Sequence, residues 1–297
     1  MPTSPVGAPA GTGISGDSGP GGTTGPGTDI TTAVFDLDGT IYLGDGLLPG
    51  ARRLIETLRD TGVRTVFCSN NPTKSPTTYA DKLTGLGIPT EVDDVFTSLN
   101  STVRWVTTTM PGARVFPIGE QPLVDALTRA GVELCDDPAR IDLVISSYDR
   151  TFDYRKLQIA FDALWFHRRA RLVATNPDRF CPFPGGRGEP DAACITAAIT
   201  AGTGVECSAV FGKPERGLFD IIAQATGLDP ARTVMVGDRL STDISFARRH
   251  DMTGVLVLTG ETDRTMLAAA PPELRPDIVL DRIDDLLAFV RRPVEAS

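Results

Sequence analysis

The chain has 297 residues, 41% of them hydrophobic and 23% charged, which is typical of a globular protein with about two domains and sizeable buried cores. Its 38 acidic residues outnumber its 29 basic ones and give a net charge of −9, which argues against nonspecific nucleic-acid binding and against docking on anionic membranes. The five cysteines are scattered and include no C-x-x-C pair, so the sequence indicates neither a disulfide framework nor a zinc site.

The first part of the chain, residues 1–29, consists mostly of Gly, Pro, Ser and Thr, which cannot bury enough apolar surface to offset the entropy of ordering. We therefore predict a disordered tail there. The tail has neither the basic nor the apolar region of a signal peptide, and the chain contains no run of about 18 apolar residues. On these grounds we expect a cytoplasmic protein without a membrane partner.

From residue 30 onward, strand-like runs alternate with stretches of helical periodicity. The predicted strands cover residues 31–35, 63–68, 113–118, 142–146, 171–174, 209–211, 233–236 and 254–258. The predicted helices cover residues 51–61, 75–86, 122–130, 154–166, 191–201, 215–226 and 241–250. The Pro- and Gly-rich residues 181–190 are predicted to be a long loop. This alternation predicts an α/β fold, in which helices cover a parallel sheet.

Two aspartates follow the first predicted strand, in the segment Phe35-Asp36-Leu37-Asp38-Gly39-Thr40. Open α/β sheets place their ligands at the carboxyl ends of their strands, which is where both carboxylates would lie. Carboxylates this close repel each other unless a cation or a shared proton intervenes, and Mg²⁺ bound together with a substrate phosphate would meet that need. A strand that simply ends in an Asp-Gly turn is the alternative interpretation.

Three later segments also place polar groups after apolar strands. Ser69-Asn70-Asn71-Pro72 offers a hydroxyl, amides and backbone N–H groups that suit phosphate oxygens, although it is also typical of a turn with a helix cap. Lys213, between Gly and Pro, could neutralise a phosphate and a carboxylate, or be an exposed turn lysine. Asp238 ends another apolar run, and Asp243 follows near the next helix, where it could be only a helix N-terminal charge.

In this order, the Asp/Asp, Ser/Asn, Lys and Asp/Asp segments resemble the four motifs of the haloacid dehalogenase (HAD) superfamily of phosphotransferases, over about residues 30–265. About 140 residues separate Ser69 from Lys213, and this insertion resembles the large α/β cap (C2 type) of the type IIA, NagD-like phosphatases. Many members of that subfamily have a Pro-Gly-x-Gly turn where this chain has Asp191, and an acidic residue there resembles the arabinose-operon sugar-phosphatase branch.

The resemblance implies a division of the chain into two domains. A Rossmann-like core (HAD fold) would consist of residues 30–112 and 205–297, and an inserted cap that selects the substrate would consist of residues 113–204. Caps of this family can also mediate homodimers, so a homodimer through the cap is an expected arrangement.

By the same resemblance, Asp36 is the nucleophile that forms an aspartyl-phosphate, Asp38 is the general acid and base, and Lys213 is a third catalytic residue. The implied cofactor is Mg²⁺, held by Asp36, the backbone carbonyl of Asp38 and Asp238. Asp243 would orient the metal shell without binding directly. The residues implied to hold the phosphoryl group are Gly39, Thr40, Ser69, Asn70, Asn71 and Lys213.

Substrate choice is expected to come from the cap. The candidate contacts with the organic part of the substrate are Asp149, Arg150, Asn176, Arg179, Arg187 and Asp191. Arginine suits a second anionic group, whereas Asp191 suits hydroxyls, which favours a sugar, polyol or cyclitol phosphate. Each candidate has an alternative interpretation as a surface charge or a helix cap, and Asp191 begins an apolar helix.

The sequence thus predicts a Mg²⁺-dependent phosphatase that hydrolyses a small phosphate monoester. The nearest alternative is a phosphatase for pyridoxal phosphate, a nucleotide, phosphoglycolate or glycerol phosphate, and a phosphomutase is a more distant one. A non-catalytic ligand-binding protein on the same fold is a further alternative, because a fold does not fix a function.

Overall fold

The computed structural model describes residues 30–183 and 187–290, so the predicted disordered tail of residues 1–29 lies outside the described residues. In the described part, the strands are β1 (Thr32–Phe35), β2 (Tyr42–Leu43), β3 (Gly46–Leu47), β4 (Arg64–Ser69), β5 (Val95–Thr97), β6 (Arg114–Ile118), β7 (Glu133–Leu134), β8 (Leu143–Ser146), β9 (Arg171–Ala174), β10 (Phe180–Phe183), β11 (Arg187–Pro190), β12 (Thr233–Gly237), β13 (Thr253–Val257) and β14 (Ile278–Leu280).

The α-helices of the described residues are α1 (Ala51–Asp60), α2 (Pro76–Gly85), α3 (Ser98–Thr109), α4 (Gln121–Arg129), α5 (Tyr154–Phe161), α6 (Ala192–Thr203), α7 (Arg216–Thr226), α8 (Ser245–Arg249) and α9 (Arg264–Ala268). A π-helical turn continues α5 over Asp162–Phe166, and another precedes α8 over Leu240–Ile244. The 3₁₀ turns are Val92–Asp94, Pro230–Arg232, Pro272–Leu274 and Ile283–Ala288.

Six strands form a parallel sheet in the order β14-β13-β12-β1-β4-β5. All four residues of the central strand β1 are buried, because helices cover both faces of the sheet. Ala33 and Phe35 pack with residues of α1 and α2 on one face, whereas Val34 packs with residues of α7 and α8 on the other.

The strands β4, β1 and β12 are neighbours and end at the same edge of this sheet. Asp36 follows β1, Ser69 is the last residue of β4, and Asp238 follows β12. Parallel strands have their carboxyl ends on one side, so the fold brings together groups that are far apart in the sequence.

A second sheet, also parallel, has the order β7-β6-β8-β9. Helices α5 and α6 pack on one face of it, and α3 and α4 contribute to the apolar cluster on the other. The antiparallel hairpin β10–β11 follows β9. The predicted α/β fold, a parallel core sheet with an inserted α/β cap, is confirmed; the domain boundaries at residues 112 and 204 stay predictions.

Some segments differ from the predicted elements. Two hairpin strands occupy most of residues 181–190, where the Pro- and Gly-rich composition predicts a long loop. Residues 209–211 make only one isolated bridge, between Val210 and Ala174, in place of the predicted strand. The elements β5, α3 and β14 have no predicted counterpart, because the strands have three residues each and α3 is rich in Thr and Ser, which favour helices weakly. Within the described residues, no helix is long and apolar enough to cross a membrane.

Candidate active site

A buried lysine joins two carboxylates at the carboxyl edge of the core sheet. Lys213 is 1% exposed, and its Nζ lies 2.6 Å from Asp36 Oδ1 and 2.6 Å from Asp243 Oδ1. Burial lowers the pKa of Lys213, but the two carboxylates outweigh that effect and hold the pKa well above its ordinary value. An ammonium is costly to bury unless it is paired, so the lysine is held here as a cation by the acids around it.

The backbone of Lys213 is held by the side chain of Asn70. The Asn70 Oδ1 atom accepts a hydrogen bond from Lys213 N at 2.6 Å, and its Nδ2 atom donates to Lys213 O at 2.9 Å. The close approach requires the glycine at position 212, where a Cβ would lie 2.7 Å from Asn70 Oδ1. The structure therefore uses the amide of Asn70, a predicted phosphate ligand, to fix the position of Lys213.

Asp243 has both carboxylate oxygens occupied by protein donors. Its Oδ1 atom accepts from Lys213 Nζ, and its Oδ2 atom accepts from the backbone N–H of Arg239 at 3.0 Å. Gly237 makes room for this carboxylate, because a Cβ at that position would lie 2.2 Å from Asp243 Cγ. Asp243 is thus a buried anchor between Lys213 and the chain that follows β12.

Three carboxylates form a cluster: Asp36, Asp238 and Asp243 each have an oxygen within 4.8 Å of the others. Burial raises the pKa of Asp36 to about 8 and that of Asp238 to about 7, and the charge of Asp243 adds to both shifts. Asp238 Oδ2 accepts from the Glu261 backbone N–H at 2.6 Å, whereas the buried Oδ1 has no hydrogen-bond partner among the described residues. An unsatisfied carboxylate oxygen beside two further carboxylates fits a hard divalent cation such as Mg²⁺.

The turn after β1 brings Asp38, Gly39 and Thr40 to the same edge. Asp38 is exposed, and its Oδ2 atom accepts a hydrogen bond from the Tyr42 hydroxyl at 3.3 Å. Gly39 has a φ of +85°, and a Cβ there would lie 2.7 Å from Asp238 Oδ2. The Oγ1 atom of Thr40 is buried without a hydrogen-bond partner among the described residues.

Ser69 and Asn71 form the turn after β4. The Ser69 hydroxyl oxygen accepts from the backbone N–H of Asn71 at 3.2 Å and lies 3.2 Å from the Tyr79 hydroxyl. The Asn71 Oδ1 atom accepts from the backbone N–H and hydroxyl of Thr73, at 2.8 and 2.7 Å. The side-chain oxygen of Asn71 therefore stabilises the turn itself, as the alternative interpretation of this segment expects.

Two of the six cap candidates lie against the core motifs. Asn176 is fully buried, and its Nδ2 atom donates to the Asn70 backbone carbonyl at 3.1 Å and to Asp191 Oδ1 at 3.3 Å. Asp191 Oδ1 also accepts from the backbone N–H of Ala192 at 2.6 Å, at the start of α6. Burial raises the pKa of Asp191 to about 6. A chain of hydrogen bonds thus connects Asp191 with the turn that holds Lys213.

The other four cap candidates make no hydrogen bond or ion pair with the carboxylate cluster among the described residues. Asp149 accepts from Lys156 Nζ at 2.6 Å and from the hydroxyl of Thr151 at 2.7 Å, which makes it part of a cap turn. Arg150 is exposed and forms a two-point ion pair with Glu120 at 2.5 and 2.8 Å. The side chains of Arg179 and Arg187 are exposed.

Three charged residues near the cluster are not among the predicted site residues: Arg239, Glu261 and Asp178. Arg239 follows Asp238 directly, and its Nε atom lies 3.0 Å from Glu261 Oε2. Asp178 Oδ1 accepts from Asn70 Nδ2 at 3.3 Å, and burial raises the pKa of this carboxyl. Arg239 lies inside a predicted motif, and that position indicates a residue near the site. The sequence contains no such indication for Glu261.

Comparisons with known proteins extend over both the core and the cap. Family profiles match residues 33–133, as a haloacid dehalogenase-like hydrolase, and residues 210–286, as a HAD-hydrolase-like region. The sugar-phosphatase AraL of Bacillus subtilis is 35% identical over 256 residues, which cover 85% of this chain and 90% of that protein. The glycerol-3-phosphate phosphatase of Gallus gallus is 32% identical over 286 residues, which cover 87% of this chain and 91% of that protein.

The solved structures agree with the sequence comparisons. The 4-nitrophenylphosphatase of Thermotoga maritima superimposes with a TM-score of 0.82 at 34% identity, covering 88% of this chain and 98% of its own. The p-nitrophenyl phosphatase of Archaeoglobus fulgidus gives a TM-score of 0.81 at 28% identity, covering 88% and 99%. The resemblance drawn from the motifs is confirmed. The chain belongs to the haloacid dehalogenase superfamily, as a phosphatase of its type IIA, NagD-like group.

Proposed function

We propose that the protein hydrolyses a small phosphate monoester with Mg²⁺ as cofactor and with Asp36 as the nucleophile. The observation that carries this proposal is the buried Lys213, bonded to Asp36 and Asp243 beside the unsatisfied oxygen of Asp238. Such a group of charges suits phosphoryl transfer, which depends on positioning and on the neutralisation of phosphate and carboxylate charge.

In this mechanism, Lys213 holds Asp36 by Oδ1, which leaves Oδ2 free to attack phosphorus. The new P–O bond makes an aspartyl-phosphate as the bond to the ester oxygen breaks, and Asp38 gives that oxygen its proton. Asp38 then takes a proton from the water whose oxygen attacks phosphorus. The P–O bond to Asp36 breaks and inorganic phosphate leaves, so Asp36 is again a carboxylate and Asp38 is again protonated.

The residues that would hold Mg²⁺ are Asp36, Asp238 and the backbone carbonyl of Asp38. When bound, the ion supplies positive charge that offsets the carboxylates and the phosphate together. Asp243 has both oxygens engaged by protein donors, which supports a role in holding Lys213 and the chain after β12 and not as a direct ligand.

For the phosphate oxygens, we propose Ser69, the backbone N–H groups of the turns that contain Gly39 and Asn70, and Lys213 as donors. The unsatisfied hydroxyl of Thr40 is a further candidate donor. Because the amide of Asn70 is used by the Lys213 backbone, its side chain acts on the phosphate through Lys213. Asn71 contributes through the turn that its side chain stabilises.

The substrate class we propose is a sugar, polyol or cyclitol phosphate. The relatives do not distinguish among the possible substrate classes, because one is named a sugar phosphatase and another of similar identity is named a glycerol-3-phosphate phosphatase. The support comes from Asp191, a largely buried carboxylate of the cap that is hydrogen-bonded to the core turn through Asn176. A carboxylate accepts hydrogen bonds from hydroxyls and repels a second anionic group.

A phosphate-release panel with and without Mg²⁺ tests the proposal. We expect Mg²⁺-dependent turnover of p-nitrophenyl phosphate and a preference for hydroxyl-rich esters. A tenfold preference for pyridoxal phosphate, a nucleotide or phosphoglycolate would overturn the substrate class. No turnover of any ester, together with measurable binding, would favour a non-catalytic protein, and transfer without net phosphate release would favour a mutase.

Replacing Asp191 with Asn is expected to lower kcat/KM for a preferred sugar phosphate by about tenfold or more, because a hydrogen bond to a charged group is lost. Turnover of p-nitrophenyl phosphate is expected to stay within about twofold, because that ester has no hydroxyls. Asparagine also caps helices well, so α6 should persist. The matched control is Asp153→Asn at the exposed start of α5, which should leave kcat/KM unchanged for both esters. An equal loss for both esters would contradict this role of Asp191.

Mg²⁺ is expected to raise the melting temperature more at about pH 8 than at about pH 5.5. With pKa values near 8 for Asp36 and 7 for Asp238, both carboxyls hold protons at the lower pH that the cation must displace. Without Mg²⁺, these groups hold protons that the unfolded chain has lost, so their contribution to stability falls as pH rises from about 4 to 8. Thermal unfolding in EDTA and in Mg²⁺ measures both effects. An undiminished Mg²⁺ shift in Asp238→Asn would contradict the site.

The cytoplasmic location and the homodimer through the cap stay predictions.

A further inference from the structure

A buried phenol contacts the carboxylate to which we assign acid–base chemistry. Tyr42 is fully buried, and its hydroxyl donates to Asp38 Oδ2 at 3.3 Å, its one hydrogen bond among the described residues. Buried hydroxyls require a partner, so the phenol is satisfied only while the exposed Asp38 keeps this rotamer. The other oxygen of Asp38, Oδ1, makes no hydrogen bond within the described residues, and it is the oxygen left to face a substrate.

The chain around Tyr42 is built to hold the phenol in this place. The backbone turns tightly after Leu37, with Tyr42 N donating to Leu37 O at 3.3 Å and Gly39 N donating to Tyr42 O at 2.8 Å. The ring belongs to the apolar cluster that Ala33 and Phe35 form with residues of α1 and α2. These contacts place the Tyr42 side chain against Asp38 and fix the direction of the Tyr42 hydroxyl.

Lys82 of α2 holds the outer side of the ring. Its Nζ atom lies 3.6 Å from the centroid of the Tyr42 ring and donates to Gly44 O at 2.8 Å. A cation over an aromatic face is attracted to it, and the second bond ties the β2–β3 hairpin to the same ammonium. Tyr42 is therefore clamped from α2 as well as from its own turn.

We propose that Tyr42, clamped by Lys82, is a positioning residue that holds Asp38 with Oδ1 directed at the leaving-group oxygen. This inference rests on the proposed function. When the P–O ester bond breaks, its electron pair goes to the ester oxygen, which takes the proton from Asp38 Oδ1 while Oδ2 stays on the Tyr42 hydroxyl. A misaligned Asp38 transfers that proton poorly. The resulting loss of kcat/KM therefore depends on how strongly the leaving group requires protonation.

The test compares two aryl esters of similar size in the Mg²⁺-loaded protein: phenyl phosphate, whose phenolate needs a proton to leave, and p-nitrophenyl phosphate, whose nitrophenolate leaves without one. We expect Tyr42→Phe to lower kcat/KM about tenfold for phenyl phosphate, the loss that follows from one hydrogen bond to a charged group, and at most about twofold for p-nitrophenyl phosphate. Lys82→Met keeps the phenol and should change the same ratio in the same direction, by a smaller factor. The exposed Tyr154→Phe is the control and should leave the ratio unchanged.

The possible outcomes distinguish a failure of this inference from a failure of the proposed function. Equal losses for the two esters, or no loss for either, in a Tyr42→Phe protein that unfolds at the wild-type temperature would overturn the positioning role. If Tyr42→Phe does not fold, an unchanged ratio in Lys82→Met would overturn it. Absence of Mg²⁺-dependent phosphate release from the wild-type protein would instead overturn the proposed function. In an Asp38→Asn background, Tyr42→Phe should cause no further loss with phenyl phosphate, because the hydroxyl then has no acid to orient.

Discussion

Replacing Asp36 with Asn is expected to reduce Mg²⁺-dependent phosphate release by at least about 10⁴-fold, since loss of a catalytic nucleophile removes the covalent route altogether. The amide has nearly the shape of the carboxylate but no lone pair of comparable nucleophilicity, so no aspartyl-phosphate can form. The measurement is single-turnover phosphate release together with acid-quench trapping of labelled phosphoenzyme. Both signals should disappear.

The fold of the Asp36→Asn protein should survive, which makes the result interpretable. Burial raises the pKa of Asp36 to about 8, and the charges of Asp238 and Asp243 contribute, so the ionised group is a cost to the folded state that the amide removes. The matched control is Asp60→Asn at the exposed end of α1, which should retain wild-type turnover. Substantial turnover by a folded Asp36→Asn protein would rule out this residue as the nucleophile.

The sequence predicts the core of this fold because the signals there are local. Long apolar runs such as Thr32–Phe35 and Thr233–Gly237 end directly at aspartates, and an α/β order dictates that such ends meet at one edge. β5 is missed because three residues carry too little periodicity. The capping box of Thr97 and Asn100 does mark the start of α3, but it precedes a stretch rich in Thr and Ser.

What the sequence does not predict are the partners of each polar side chain. Asn70 and Lys213 are both assigned to phosphate from their motifs, yet 143 residues separate the atoms that pair them. In the cap, the partners of the polar side chains are even harder to predict from the sequence. Asp149 is bonded to Lys156 only seven residues away, whereas Asp191 is bonded through Asn176 to a core turn, and no local pattern distinguishes the two aspartates.

Replacing Lys213 with Met is expected to lower the free energy of unfolding by about 3–5 kcal/mol at about pH 8 in EDTA, the range found when one partner of a buried ion pair is removed. Asp36 and Asp243 would then face each other without a cation. The loss should shrink toward about pH 5.5, because the pKa of Asp36 is raised in the folded state and its protonation removes one of the two facing charges. Turnover should also fall by about 10²-fold or more, as when a donor that stabilises transition-state charge is lost. Urea unfolding at the two pH values measures the stability change.

The matched control for this prediction is Arg264→Met, where the arginine lies 2.6 Å from Asp281 and the two side chains are 72% and 68% exposed. Water can solvate the remaining carboxylate there, so we expect a loss of no more than about 1 kcal/mol and little dependence on pH. If the two variants lose equal stability, the ion pairs of Lys213 act as ordinary partly solvated pairs. If the Lys213→Met loss grows as pH falls, the carboxylates are not relieved by protons and the assignment of a buried, charge-balanced cluster is wrong. Mg²⁺ added to Lys213→Met should recover part of the stability at about pH 8, because the cation supplies charge to the same carboxylates.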